Sequence, residues 1–267
     1  MPGRRRFAVV PRSIPSAGSG QASFGRLWTG VFAQFAKRAG WQIAAVLAVS
    51  SSILGNAQSP PAPQAPAARF AVVLDAAHGG SDAGANLDGQ PEKAYTLALS
   101  VRLRSLLAAR GIAVVTTRES DVTLDPVQRA QIADRANAQA CLILHASEAG
   151  FGVHLFTSSL AARPAVQARL FVPWKTAQAG WETRSVALEG VLNSALQHAG
   201  MNVTMGRTEL RTLDSMACPA VAVEIAPQRG SAGSAAAGSF SDAGYQAQVA
   251  EALAAALVEW RAEGPQL

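Results

Sequence analysis

The chain has 267 residues, 49% hydrophobic and 15% charged, which is ample apolar surface for a sizeable core and too much for a disordered polypeptide. Its net charge of +5 suggests a nucleic-acid binder only until the charge is divided by position. Residues 1–57 carry seven basic side chains and no acidic one, leaving 16 basic against 18 acidic beyond them, so no nucleic-acid partner is expected for the folded part.

In chain order, Lys37 and Arg38 precede a mostly apolar run from Trp41 to Leu54. Gly55-Asn56-Ala57 then supplies small residues ahead of a cut before Gln58. Basic start, short apolar middle and small-residue cleavage site together predict a signal peptide over 1–57, hence export to the periplasm or cell envelope. The apolar run is short for a membrane span, so no stable span is expected after processing. The basic stretch is long for a signal peptide, and Val31 is a candidate for the true start. Residues 58–68, QSPPAPQAPAA, favour an extended linker. The folded domain is expected over 69–262, followed by a short tail at 263–267.

Phe70 to Leu74 reads as a buried parallel strand ending in Asp75. Pro91 opens a predicted helix through Arg110, stopped by Gly111. Ile112–Thr117 is the next strand, and Asp125-Pro126 caps a helix to about Ala138. Cys141–Leu144 and Gly152–Thr157 read as strands, Trp181–Ala199 as a helix, and Val221–Ile225 as another buried strand. Tyr245–Arg261 closes the domain as a helix, after a Gly/Ser/Ala loop from Gly230 to Gly244. Strands alternating with helices predict an α/β fold in three layers, with a mostly parallel, mixed sheet between helices on both faces. In such sheets functional groups collect beyond the carboxyl ends of the strands.

Four candidates stand there. His78 follows the first strand in Asp75-Ala76-Ala77-His78-Gly79-Gly80, Glu92 opens the first helix, His145 ends the Cys141 strand, and Glu224 ends the last one. Two imidazoles and a carboxylate make a zinc set with an open position, and a further carboxylate could move a proton. The separations of 14, 53 and 79 residues match no local metal motif, so hydrogen-bonded structural histidines and a buried Glu224–arginine pair remain open readings. No GxSxG supports serine chemistry, and no Lys-Ser/Thr completes a phosphate loop after Gly79-Gly80. His154 and His198 read as structural, and Trp174 and Trp181 as packing residues. Cys141 and Cys218 are too few for a four-thiolate zinc site. They are expected as buried free thiols, because adjacent parallel strands rarely offer the geometry of a bridge.

Four ordered blocks carry a resemblance: VVLDAAHGGSDAGA, PEKAYTLALSVRLRSLLAARGIAVVTTRESD, RAQIADRANAQACLILHAS and PAVAVEIA. Over Ala71 to Glu259 the chain resembles the zinc-dependent N-acetylmuramoyl-L-alanine amidases of the cell-wall amidase type 3 family. The resemblance implies one zinc per chain on His78, Glu92 and His145, with Glu224 as catalytic residue. The implied substrate is peptidoglycan or its muropeptides, cleaved between the lactyl group of N-acetylmuramic acid and L-alanine; a monomer is expected. Two departures touch the loops: Ala77 stands where relatives usually have Gly, and Ser147 where they have Asn. Ala77 is tolerable only if its φ is ordinary. Ala146 to Val223 is filled by a strand, a helix and loops, with no space expected for the plugging helix of some larger relatives. A zinc amidase or peptidase acting on another wall-peptide bond, and an inactive peptidoglycan-binding domain, are the alternatives.

Overall fold

The computed structural model describes residues 69–162, 173–228 and 242–264, all within the second of two compact units, Pro63–Leu267. The expected leader, the linker and most of the Gly/Ser/Ala loop lie outside the described residues. Eight strands and five helices are described: β1 (Ala71–Ala76), β2 (Asn86–Leu87), β3 (Gln90–Pro91), α1 (Glu92–Ala109), β4 (Ala113–Thr116), α2 (Pro126–Arg135), β5 (Ala140–Ala146), β6 (Val153–Ser158), α3 (Glu182–His198), β7 (Val203–Thr208), α4 (Arg211–Ser215), β8 (Ala220–Ile225) and α5 (Ala243–Glu263). A 3₁₀ helix, Trp174–Gly180, precedes α3.

Six strands form one sheet in the order β4-β1-β5-β8-β6-β7, parallel except where β6 meets β8. Strand alternation divides the core into two layers. Val72, Leu74, Leu142, Leu144, Val221 and Val223 face one way, against Leu99, Leu103, Leu107, Leu188, Leu192 and Leu253 of α1, α3 and α5. Val73, Cys141, Ile143, Ala220 and Ala222 face the other, against Ala130 and Ala133 of α2 and Leu213 of α4. The three-layer α/β expectation is therefore borne out. Among the described residues no helix is long and apolar enough to cross a membrane.

Local signals explain the element ends. Asp125 accepts from the Gln128 amide while the Gln128 side chain accepts from the Asp125 amide, a reciprocal capping box with Pro126 behind it. α2 ends at Arg135, three residues short of the expected boundary. β7 and α4 were not anticipated: β7 is an edge strand with no buried residue, so it lacks an apolar signature. The β2–β3 hairpin was also missed, although Asp88-Gly89, both at positive φ, is the dipeptide that favours a two-residue turn.

The free-thiol expectation is overturned. Cys141 and Cys218 form a disulfide, with Cα atoms 6.3 Å apart. Cys218 lies two residues before β8 and faces no residue in register, so the constraint on paired parallel strands does not apply to it. The bridge is fully buried and ties the start of β5 to the approach to β8.

Candidate metal centre and catalytic site

The carboxyl ends of β1, β5 and β8 and the first turn of α1 converge at one edge of the sheet. There the structure brings together all four sequence-derived candidates, three in one tight group and the fourth beside it.

Glu92 is the centre of the group and is almost fully buried. Its Oε2 lies 3.0 Å from His78 Nε2, and its Oε1 lies 3.0 Å from His145 Nδ1. Each oxygen also accepts a backbone amide, Oε2 from Ala85 and Oε1 from Ala146, at 3.0 Å. Burial pushes the Glu92 carboxyl up, but the hydrogen bonds from both imidazoles and both amides outweigh it. The group is held well below the ordinary carboxylate range and is ionised. The His78 pKa is raised by its hydrogen bond to Glu92, opposed by burial, with Asp82 adding to the rise. His78 Nδ1 donates to Asp82 Oδ2 at 2.8 Å, which leaves Nε2 directed at Glu92.

One ligand atom from each of His78, Glu92 and His145 fits within a mutual distance of 4.8 Å, so this group could hold a metal ion. Two imidazoles and a carboxylate are a donor set suited to zinc, and Asp82 is the carboxylate partner that orients a ligating imidazole. Gly84, at φ +66°, leaves the space: a Cβ there would stand 2.6 Å from Glu92 Oε2 and 2.7 Å from His78 Cδ2.

The His78 loop is clamped by groups the sequence reading did not single out. Arg129 forms a buried ion pair with Asp75 at 2.7 Å and donates to the carbonyls of Ala76 and His78. Arg118 donates to the carbonyls of Ala76, Ala77 and Lys93. Lys93 reaches the Gly80 carbonyl, and Asp121 accepts the Gly80 amide. His78 itself takes φ +61°, whereas Ala77 is not among the residues at positive φ, so alanine is compatible with the position. The signal for this clamp lies in Arg118, just past β4, and Arg129, in the first turns of α2, but spacing alone assigns them no partner.

Glu224 stands beside the metal group through the sheet itself. His145 and Glu224 are register partners on β5 and β8, and Glu224 and His154 are register partners on β8 and β6. The three therefore project in a row from one face, the face that carries α2 and α4. The alternative of a buried Glu224–arginine pair is not found among the described residues; of the two buried arginines, Arg129 pairs with Asp75 and Arg118 donates to backbone carbonyls. Glu224 Oε1 lies 3.1 Å from His154 Nδ1, so His154, expected as a structural residue, is the hydrogen-bond partner of a candidate catalytic one. His198 does sit in the last turn of α3. Trp174 is 46% exposed, with the Lys175 ammonium 5.5 Å from its ring, so it is not the packing residue expected. Among the described residues, the interval from Ala146 to Val223 holds β6, the 3₁₀ helix, α3, β7 and α4; residues 163–172 lie outside the description.

The sequence profile described as N-acetylmuramoyl-L-alanine amidase matches residues 72–259, most of the chain and all four candidates. The chain belongs to this family. Among curated relatives, the endolysin of Bacillus phage SPP1 is 40% identical over 75 residues, which is 28% of this chain and 28% of that protein. The N-acetylmuramoyl-L-alanine amidase AmiA of Escherichia coli is 35% identical over 92 residues, 34% of this chain and 32% of that one. The matched segments thus span about a third of those relatives or less. Solved structures agree on the fold. The catalytic domain of CwlV, an N-acetylmuramoyl-L-alanine amidase from Bacillus (Paenibacillus) polymyxa var. colistinus, superposes with a TM-score of 0.55 at 23% identity, over 72% of this chain and 98% of that one. The N-acetylmuramoyl-L-alanine amidase from Clostridium difficile 630 gives 0.54 at 16%, over 74% and 99%.

Proposed function

We propose that this protein is an exported zinc amidase that cleaves the bond between the lactyl group of N-acetylmuramic acid and L-alanine in peptidoglycan. The observation that carries the reading is the His78–Glu92–His145 group with Glu224 in register beside it, in a member of this amidase family. His78, Glu92 and His145 hold the metal, one ion per chain. Bound zinc supplies a Lewis acid for the amide carbonyl and makes the attacking water more acidic.

The chain's own groups do the rest. Asp82 fixes the His78 tautomer, and the amides of Ala85 and Ala146 fix the Glu92 carboxylate. Glu224, partly open to solvent, accepts the proton of the attacking water on its carboxylate. It then delivers that proton to the departing nitrogen of L-alanine, which leaves as a neutral amine. The lactyl carbonyl carbon gains the water oxygen as the C–N bond breaks, so atoms and charge balance. Export is supported by the signal-peptide pattern in 1–57 and by the Cys141–Cys218 disulfide, a bond that persists in oxidising compartments.

The test is incubation of Gln58–Leu267 with muropeptides, read by mass spectrometry, with and without chelator. Release of an intact stem peptide beginning at L-alanine, abolished by chelator and restored by zinc, is the expected result. Cleavage at another bond makes the protein a different wall hydrolase, and binding without cleavage makes it an inactive domain. Glu224→Gln should retain one zinc and the fold while losing roughly 10²–10⁴ in rate. Near-normal cleavage by that variant moves the base elsewhere.

A further inference from the structure

We propose that His154 is the positioning residue of the catalytic carboxylate: its Nδ1–H donates to Glu224 Oε1, fixing the rotamer and leaving Oε2 as the proton acceptor. The proposal rests on the reading of Glu224 as the base.

Three observations support a built contact. The first is topological. β6 and β8 are the one antiparallel pair in the six-stranded sheet, and His154 faces Glu224 directly across it. Directly facing residues of an antiparallel pair bring their Cβ atoms to roughly 5 Å, close enough for a short imidazole-to-carboxylate contact. The second is the contact itself, 3.1 Å from Nδ1 to Oε1. An ionised carboxylate only accepts, so the proton on that nitrogen belongs to the imidazole, and in the neutral ring Nε2 carries the lone pair.

The third is that two neighbours restrict where the ring can turn. Gly150 lies against its far edge: a Cβ on Gly150 would come 2.6 Å from His154 Cε1 and 2.9 Å from Nε2. Gly150 also holds φ +80°, a conformation that favours glycine. Phe156, two residues along the same face, packs edge-on at 6.4 Å between ring centroids. The imidazole is thus seated between a backbone, an aromatic ring and the carboxylate it would orient. An otherwise unrestrained glutamate has three side-chain torsions, and a misplacement of about 1 Å in a reacting group can cost about 100-fold in rate.

The experiment compares His154→Leu, which removes the donor, with His154→Asn, which keeps an amide donor near the position of Nδ1. In the zinc-loaded full chain, His154→Leu should lower kcat on a muramoyl-peptide about 10- to 100-fold. KM should stay within about 2-fold and the zinc content should remain at one per chain. His154→Asn should regain most of the loss. A purely structural role would lower thermal stability and the amount of folded protein in both variants without that split and rescue. An independent readout uses the metal-free protein: ¹H–¹⁵N spectra should show His154 protonated on Nδ1, and Glu224→Leu should abolish that preference. Normal kcat in His154→Leu, no recovery in His154→Asn, or an unprotonated Nδ1 in the wild type would each overturn the proposal. If Glu224→Gln is itself active, the base assignment has failed. If Glu224→Gln is inactive while His154→Leu is normal, only the role given to His154 has failed.

Discussion

On the β1–β5 side of the site, Glu92 and the His78 loop are held from several directions. Glu92 accepts two backbone amides and lies 3.0 Å from both imidazoles, His78 is oriented by Asp82, and the carbonyls of the loop before it are gripped by Arg118 and Arg129. On the β8–β6 side, Glu224 has a single hydrogen-bonding side chain among the described residues, His154, and its own side chain is 31% exposed. A ligand set must keep its geometry whether or not substrate is present, so rigidity serves it. A base must meet water on one side and a leaving nitrogen later in the reaction, so it needs an open face and one firm anchor. The same contrast continues behind the site. The buried Asp75 has its arginine, whereas Glu189 of α3, which packs beneath β6 and β7, has a buried Oε1 without a hydrogen-bond partner among the described residues.

The sharpest way to break the comparison is Arg129→Met. Among the described residues it leaves the buried Asp75 only the Thr117 hydroxyl, and it releases the carbonyls of Ala76 and His78. A loss of about 3–5 kcal/mol in denaturant unfolding is expected, together with weaker zinc binding. A stable variant with normal zinc affinity would show that the clamp does not hold the ligand loop.

A smaller effect is expected from removing the disulfide, which lies at the opposite end of β5 from His145. Cys141→Ala/Cys218→Ala should cost about 2–4 kcal/mol of stability, since the bond closes a loop across a sequence separation of 77. Zinc stoichiometry and kcat of the folded fraction should be unchanged. A change in kcat at full folding would mean that the strand bases and the site edge are coupled.

The smallest effect tests the looser half. Burial raises the Glu189 carboxyl from about 4.5 to about 7; Arg207 opposes the rise and Glu182 adds to it. Between those values the folded protein retains a proton that the unfolded chain has released, so stability falls as pH rises through about 7. Glu189→Gln removes this dependence. It should raise Tm at pH 8, corresponding to roughly 1–3 kcal/mol, and leave it unchanged at pH 4. An equal gain at both pH values would assign the effect to packing.

What was legible in the sequence follows from where each signal lies. β1, β5 and β8 are buried on both faces, so each is a continuous apolar run, and a charged or imidazole residue ending such a run stands out. That is how His145 and Glu224 were visible. β7 is exposed at the edge, and α4 has only five residues, so neither leaves a periodic trace. His154 was read as structural because its partner lies 70 residues away across an antiparallel pairing. Nothing local records that reversal of direction. The disulfide was misjudged for a related reason: strand register constrains paired residues, and Cys218 is just outside the strand.

The order β5-β8-β6 also bears on how the chain reaches its native state. Residues 147–152 carry the chain from β5 to β6 past the position β8 will fill, and that strand is made some 70 residues later. Ser147 and Gly152 donate their amides to Ile225 and Pro227, so even this crossing lacks its partners until β8 arrives. Until β8 is made, the half-built sheet has a slot in its middle, with two unpaired strand edges facing it. Pairings this distant in sequence form slowly, and open edges of this kind are where chains associate wrongly. Insertion of β8 closes the slot, brings Cys218 to Cys141 and delivers Glu224 to the site. A chain truncated before Cys218 would therefore lack the disulfide partner of Cys141, β8 and Glu224 together.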